Sequence, residues 1–183
     1  EQSTVFCASN SVTSLKDKKF ANAYSDWDAD KMRRFNFLTS RFFNALDIEL
    51  DFCPEVFIVT DTTMATQSMV DPFTDTIQII GRFRNGIASA NHITNTDYNF
   101  SVRSKAQLQY MIGVFEQVYG MMKTYYDNAT TDEARDAYKS ILDTHPFKSM
   151  LNRNGEKNWF KIDNYITDAI VRGYYKNFDM LTN

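Results

Sequence analysis

The acidic residues Asp26, Asp28 and Asp30 have the spacing of the first ligands of a calcium-binding loop. Such a loop places carboxylates at positions 1, 3 and 5, requires Gly at position 6 and ends at position 12 on a Glu that binds the ion through both oxygens. Here Lys31 replaces the Gly and Phe37 replaces the Glu. The sequence therefore predicts no calcium loop, and the acids are better explained as favourable charges at a helix N-terminus.

A second acidic group, Asp47, Glu49 and Asp51, alternates with apolar residues. In an extended strand this alternation places the carboxylates on one face and the apolar side chains on the other. Such a face could hold a hard cation. It is more often a solvated edge, and the solvated edge is the favoured interpretation.

The chain has only two histidines, His92 and His145, which restricts the zinc sites and catalytic triads that it could form. Neither has a Cys or His at the spacing of a zinc site. No Ser or Cys lies between the glycines of a nucleophile elbow, and no glycine-rich phosphate loop occurs. We therefore predict no catalytic residue, no cofactor-binding residue, no cofactor and no metal ligand.

Several arginines could form an anion-binding patch if the predicted first helix packed beside the predicted second strand. Scattered surface arginines are the commoner outcome. The arginines concerned are Arg33, Arg34, Arg41, Arg82 and Arg84.

The elements that would position these residues in the first half of the chain are a helix and two strands. Asp28 or Asp30 caps an amphipathic helix extending to Leu46, with apolar residues at three- and four-residue spacings. Residues 56 to 59 and 76 to 80 are predicted strands because they are rich in β-branched and aromatic side chains. Polar connections fill residues 61 to 75 and 84 to 100.

Three helices are predicted in the second half. The first opens at Ser104 and has a broad apolar face that extends to Tyr126. The second follows Thr131 and is stopped by Pro146, and the third begins at about Asp163. Gly113 and Gly120 lie seven residues apart on the first of these helices, which suggests a close backbone approach.

The predicted order of helix, strand, long loop, strand, long loop and long helix resembles the front half of zinc-dependent peptidases of the zincin class. In that family the long helix carries HExxH, whose histidines bind zinc and whose Glu is the general base. The matching turn here is Phe115-Glu116-Gln117-Val118-Tyr119. The resemblance covers residues 28 to 126 and implies an inactive relative, because Phe115 and Tyr119 cannot replace imidazole as zinc ligands.

Composition and length predict a single folded core. The chain has 183 residues, 43% of them hydrophobic and 15% aromatic. We predict an α+β fold with a small mixed or antiparallel sheet packed against three to four helices. Residues 26–183 form this domain, and residues 1–25 form an N-terminal arm or tail.

The charge balance bounds the possible partners. A formal net charge of -3 argues against a dedicated nucleic-acid or anionic-membrane binder. No apolar run approaches the roughly 20 residues needed to cross a bilayer. Other proteins are therefore the predicted partners.

The leading hypothesis is a non-enzymatic structural or interaction protein, proteolytically matured, within a viral particle or an organelle complex. It rests on the incomplete chemistry, on the many Tyr, Phe and Met residues suited to interfaces, and on the opening at Glu1 without an initiator Met, which predicts a removed upstream segment. The predicted location is accordingly the virion, an organelle or the secreted space.

Two alternative functions stay open. One is an enzyme with its site on residues 61 to 75 and 84 to 100. The other is a secreted or periplasmic binding module, stapled by a disulfide between Cys7 and Cys53.

Overall fold

A computed structural model describes residues 2–42 and 46–182, which form two compact units, Glu1–Asn95 and Thr96–Asn183. We call these the N-terminal unit and the C-terminal unit. Two small parallel sheets lie in the N-terminal unit, and the longest helices lie in the C-terminal unit. The predicted α+β class is confirmed, whereas the strands are parallel rather than mixed or antiparallel. Helices within the connections supply the crossovers that parallel strands need.

The first sheet has three strands in the order β2-β1-β3. Its elements are β1 (Ser3–Phe6), α1 (Ser9–Asp17), β2 (Ala23–Tyr24) and β3 (Phe35–Leu38). Successive side chains of β1 point to opposite faces, and Thr4 and Phe6 are fully buried on one of them. The ring of Phe6 lies 4.9 Å from that of Trp27 and 6.3 Å from that of Phe42, measured between centroids.

Two local predictions for this region are wrong. Residues 1–25 do not lack regular structure, because β1 is the central strand of the sheet. The helix predicted from Asp28 to Leu46 is replaced by two short 3₁₀ helices and β3, since pairing with β1 overrides the helical spacing. Asp28 does cap a turn, accepting from the Asp30 amide at 3.0 Å. Residues 43–45 of the predicted helix lie outside the described residues.

The second sheet pairs β4 (Glu55–Val59) with β5 (Ser89–Ile93), and helix α2 (Asp75–Ile80) lies in their connection. The prediction of β4 is confirmed. The strand predicted at residues 76 to 80 is wrong, because this segment is α2, and β5 lies within the connection predicted for residues 84 to 100.

Local hydrogen bonds explain why a β-branched segment forms a helix. The side-chain carboxylate of Asp71 accepts hydrogen bonds from the backbone amides of Phe73 and Thr74. The backbone carbonyl of Asp71 accepts from the amide of Asp75. These contacts form a tight turn directly before α2. The helix then buries Ile79 against Ile58 of β4 and Val70, which is the core of this part of the unit.

The C-terminal unit is helical. Its elements are α3 (Lys105–Asp127), α4 (Asp132–Thr144), a 3₁₀ helix (Pro146–Met150), α5 (Trp159–Tyr174) and α6 (Phe178–Thr182). The predicted starts after Ser104 and Thr131 are confirmed, and both residues cap their helices. The last predicted helix exists but begins at Trp159 rather than Asp163, because Asn158 accepts from the Lys161 amide at 3.1 Å.

One apolar core holds this unit together. The apolar faces of α3 and α5 meet with the 3₁₀ helix between them, as the periodicity predicted for both helices. The buried members are Leu108, Ile112, Phe147, Met150, Ile162 and Ile166. Across the described residues, no helix has the length and apolarity to cross a bilayer.

Candidate functional site

A network of polar side chains lies where β4 and β5 end. Thr60 follows β4 directly, and its side chain is buried. Its hydroxyl donates to the hydroxyl of Thr94 at 2.7 Å and lies 2.9 Å from Nε2 of His92. The carboxyl ends of parallel strands are where α/β proteins bind ligands, so this network is the first candidate site.

The hydrogen bonds determine the tautomer of His92. A Thr hydroxyl has one proton to donate, and Thr60 uses it toward Thr94, whose own hydroxyl donates to the Asn95 carbonyl at 3.0 Å. The contact between His92 and Thr60 therefore requires Nε2–H of His92 to be the donor. Burial lowers the pKa of His92 from its ordinary value of 6.5, which favours this neutral form.

Asn95 joins the two polar connections on which the enzyme hypothesis rests. Its Oδ1 accepts from the amide of Thr62 at 2.7 Å and from the hydroxyl of Thr62 at 3.0 Å. Its Nδ2 donates to Oδ1 of Asp61 at 3.0 Å. That same Asp61 oxygen accepts from the backbone amides of Thr63 and Met64. The structure thus brings residues of both predicted connections together.

The Asp61 carboxylate gives this network a pH dependence. Amide donors from Thr63, Met64 and Asn95 lower the pKa of Asp61 below its ordinary 3.8. A lowered folded-state pKa means that the charge stabilises the fold above pH 3.8 and that this contribution is lost as pH falls through the folded-state pKa. We therefore expect Asp61→Asn to have a lower free energy of unfolding than wild type at neutral pH. The difference in free energy between the two proteins should become smaller as the pH falls.

Urea unfolding of both proteins across this pH range measures the effect. Asp51→Asn is the matched control, because Asp51 is an exposed acid of the same unit. A stability difference for Asp61→Asn that is constant with pH would contradict the assignment.

A second cluster joins two arginines to one carboxylate. The guanidinium nitrogens of Arg84 and Arg82 lie 2.6 and 3.7 Å from Oδ1 of Asp47. Between them, Phe83 forms a parallel bridge with Ile48, in which the Ile48 amide donates to the Arg82 carbonyl and the Arg84 amide to the Ile48 carbonyl. Residues i and i+2 of an extended segment share a face, so the bridge holds both arginines on one side.

The other arginines of the predicted patch make different contacts. Arg41 pairs with Asp26 at 3.9 Å and donates to the carbonyl of Ser25, and Arg34 lies over the ring of Phe35. The predicted packing of a first helix beside a second strand does not occur among the described residues, because residues 28–42 form 3₁₀ turns and β3, and residues 76–80 belong to α2. The structure therefore joins Arg82 and Arg84 through Asp47.

The segment around Asp47 partly follows the predicted alternation. Ile48 and Leu50 are buried, whereas Glu49 and Asp51 are exposed. Phe52 departs from the pattern because it is 58% exposed. Among the residues described, no group of His, Cys, Asp or Glu side chains could hold a metal ion.

The α3 turn with the zincin-like spacing packs on a histidine. The rings of Phe115 and Tyr119 lie 5.9 and 5.7 Å from the ring of His145, between centroids. Glu116 pairs with Lys157 at 2.7 Å, and Nδ1 of His145 accepts from the Phe147 amide. These contacts give the turn a packing role, while the resemblance to zincins stays a prediction.

The cysteines are free thiols. Cys7 is buried beside the end of β1, and Cys53 is exposed. Sγ of Cys53 lies 3.7 Å from the carbonyl of Asn85.

Both sheets of the N-terminal unit present exposed apolar side chains. On the β4–β5 pair, Phe57, Val59 and Ile93 are 53%, 64% and 54% exposed. Val59 is opposite Ile93 in the register, so the three share the face away from Ile58. On β3, Phe35 and Phe37 are likewise more than half exposed.

Comparison with known proteins found no matching protein-family model, no matching curated protein and no matching solved structure. Function must therefore be argued from the geometry.

Sequence reasoning missed the network side chains Thr60, Thr62 and Asn95. They match no motif, and their hydrogen bonds join residues 33 or 34 positions apart. One pattern in the sequence could have indicated part of the network, because Thr60, Asp61 and Thr62 directly follow a predicted buried strand.

Proposed function

We propose that this chain works as an interaction component of a larger protein assembly, in which further protein covers the β4–β5 sheet. The observation that carries the proposal is the exposed face made by Phe57, Val59 and Ile93. A viral particle or an organelle complex is the kind of assembly that we propose.

Parallel sheets are normally covered on both faces. One face of the β4–β5 pair packs on α2 through Ile58 and Ile79. The other face presents a phenyl ring and two β-branched side chains in adjacent register positions. Full burial of an exposed side chain of this kind contributes about 1.5–3 kcal/mol. These three are a little more than half exposed, so each would contribute roughly half of that on association with an apolar partner surface.

The proposal predicts that polar substitution on this face weakens association. Val59→Thr combined with Ile93→Thr keeps the β-branched shape and removes the apolar character. Light scattering coupled to size-exclusion chromatography, together with capture of partners from native extract, should show association weakened at least about fivefold, as for loss of about 1 kcal/mol at an interface.

Ile77→Thr is the matched control, because Ile77 is 68% exposed but lies on α2 rather than on the sheet. Its association should equal that of wild type. A wild-type protein that stays monomeric at micromolar concentration and captures no partner would contradict the proposal.

A second candidate function is binding of a phosphate-bearing ligand, such as a nucleotide or a phosphorylated metabolite, by Arg82 and Arg84. The favouring observation is that both guanidinium groups already converge on one oxygen anion, the carboxylate of Asp47. Arginine forks match phosphate oxygens in geometry and charge. Two arginines and one carboxylate leave a net positive cluster, which can accept a further anion.

This candidate also relates to the enzyme alternative. The Arg pair and the network at Thr60, His92 and Asn95 both belong to the N-terminal unit. A phosphate ligand would give the polar connections a substrate class.

A further inference from the structure

The C-terminal unit contains an open cavity of about 440 Å³. It lies where α3 begins and α5 ends, so its wall comes from two helix ends and the segment that precedes α3. The lining residues are Ser101, Val102, Arg103, Gln107, Met111 and Lys176.

Backbone contacts hold the cavity walls in place. The amide of Asp97 donates to the carbonyl of the fully buried Tyr175 at 3.0 Å. At Gly173, α5 lies beside the same segment, since a Cβ there would be in ordinary van der Waals contact with the Ser101 carbonyl oxygen, at 3.5 Å. Ser101 and Lys176 therefore belong to two segments that lie against each other near the cavity.

The start of α3 is equally well ordered. Oγ of Ser104 accepts from the Gln107 amide, and Oε1 of Gln107 accepts from the Ser104 amide at 2.8 Å. This reciprocal capping orients the Gln107 side-chain amide. Its Oε1 takes part in the cap, and its Nε2 group takes no part in it.

The charges on the cavity wall have one sign. Arg103 and Lys176 are both cationic, and none of the lining residues is acidic. Among residues 2–42 and 46–182, neither cation forms an ion pair. The positive end of the α3 dipole adds to the same potential. Met111 and Val102 supply the apolar part of the wall.

We infer that this cavity binds a small organic anion, a carboxylate or a phosphate monoester with an apolar body. The anionic group binds between Arg103 and Lys176, which donate charge-assisted hydrogen bonds. The apolar body contacts Met111 and Val102. The cavity volume lies within the range of small-molecule sites, roughly 300–1,000 Å³, and accommodates one ring with its anionic substituent.

Amide chemical shifts of the full ¹⁵N-labelled chain test this inference. Phenyl phosphate and benzoate are the two anionic probes, and benzyl alcohol is the neutral one of similar shape. We expect one or both anions to produce saturable shifts at Ser101, Val102, Arg103 and Lys176. The more tightly bound of the two identifies the preferred anionic group.

Variants then assign the binding to the two cations. Arg103→Gln and Lys176→Gln should each weaken binding about tenfold, as expected for losing a hydrogen bond from a charged donor. Lys123→Gln, on an exposed part of α3 that does not line the cavity, should leave binding unchanged. Circular dichroism confirms that each variant is folded.

Three results would each overturn the inference: no saturable shift with either anion, benzyl alcohol binding as tightly as the anions, or equal weakening by Lys123→Gln. This site shares no residue with the face or the arginines of the N-terminal unit, so its failure leaves the proposed function untouched.

Discussion

Phe6→Ala is expected to lower the free energy of unfolding of the N-terminal unit by about 3–5 kcal/mol, the usual cost of truncating a buried Phe to Ala. Phe6 is fully buried in the central strand of its sheet. Its ring contacts those of Tyr24, Trp27 and Phe42. Removing the ring leaves a cavity among three other rings, which the neighbouring strands cannot easily fill because they are fixed in register with β1.

Urea unfolding monitored by tryptophan fluorescence measures this effect, because Trp27 packs directly on Phe6. Phe37→Ala is the matched control, since Phe37 lies in the adjacent strand β3 and is 57% exposed. Phe37→Ala should lower the free energy of unfolding by less than about 1 kcal/mol, as surface substitutions usually do. Equal stability of wild type and Phe6→Ala would show that residues 1–25 behave as the arm predicted from composition.

The parts of the fold that the sequence predicts are those determined by local interactions. Helix α3 is the clearest case: Ser104 and Gln107 form its capping box from residues three apart, and its apolar residues recur at helical spacing. The N-terminal cap of α4 by Thr131 is equally local. Such elements carry their own start signals and require no knowledge of distant partners.

The wrong predictions have non-local causes. Residues 28 to 46 contain apolar side chains at helical spacing, yet Phe35 and Phe37 also alternate as a strand would. Pairing with β1, which lies in the segment expected to be an arm, decides between them. Without β1 as a strand, β3 has no partner. Predicting an arm for residues 1–25 therefore led to predicting a helix for residues 28 to 46.

The candidate sites show the same limit. From the sequence, Arg82 and Arg84 are only possible members of an anion-binding patch, scattered surface arginines are the favoured interpretation, and Asp47 is placed on a solvated acidic edge. The contact arises only because the Phe83–Ile48 bridge places Asp47 beside Arg82 and Arg84. A bridge between residues so distant in sequence leaves no periodic pattern. The sequence therefore shows which residues are charged, but not that Asp47 lies against both arginines.

Arg82→Gln is expected to weaken the binding of pyrophosphate to the N-terminal unit by about tenfold or more. Hydrogen bonds to charged groups contribute about 1.5–3 kcal/mol each, which corresponds to about tenfold or more in affinity. The backbone bond from the Ile48 amide to the Arg82 carbonyl does not depend on the side chain, so the variant should fold. Isothermal titration calorimetry of the full chain measures both affinities.

Asp47→Asn tests the same cluster in the opposite direction. The Asp47 carboxylate competes with a phosphate for both arginines, so its neutralisation should increase pyrophosphate affinity, by up to about fivefold because exposed ion pairs contribute at most about 1 kcal/mol. Arg41→Gln is the matched control, since Arg41 pairs with Asp26 instead. Equal weakening by Arg41→Gln and Arg82→Gln would mean that pyrophosphate responds only to net charge. Opposite changes for Arg82→Gln and Asp47→Asn would exclude unfolding as their common cause, because a folding defect weakens binding in both variants. Net charge alone would also produce opposite changes, so unchanged binding in Arg41→Gln is the result that assigns them to the cluster.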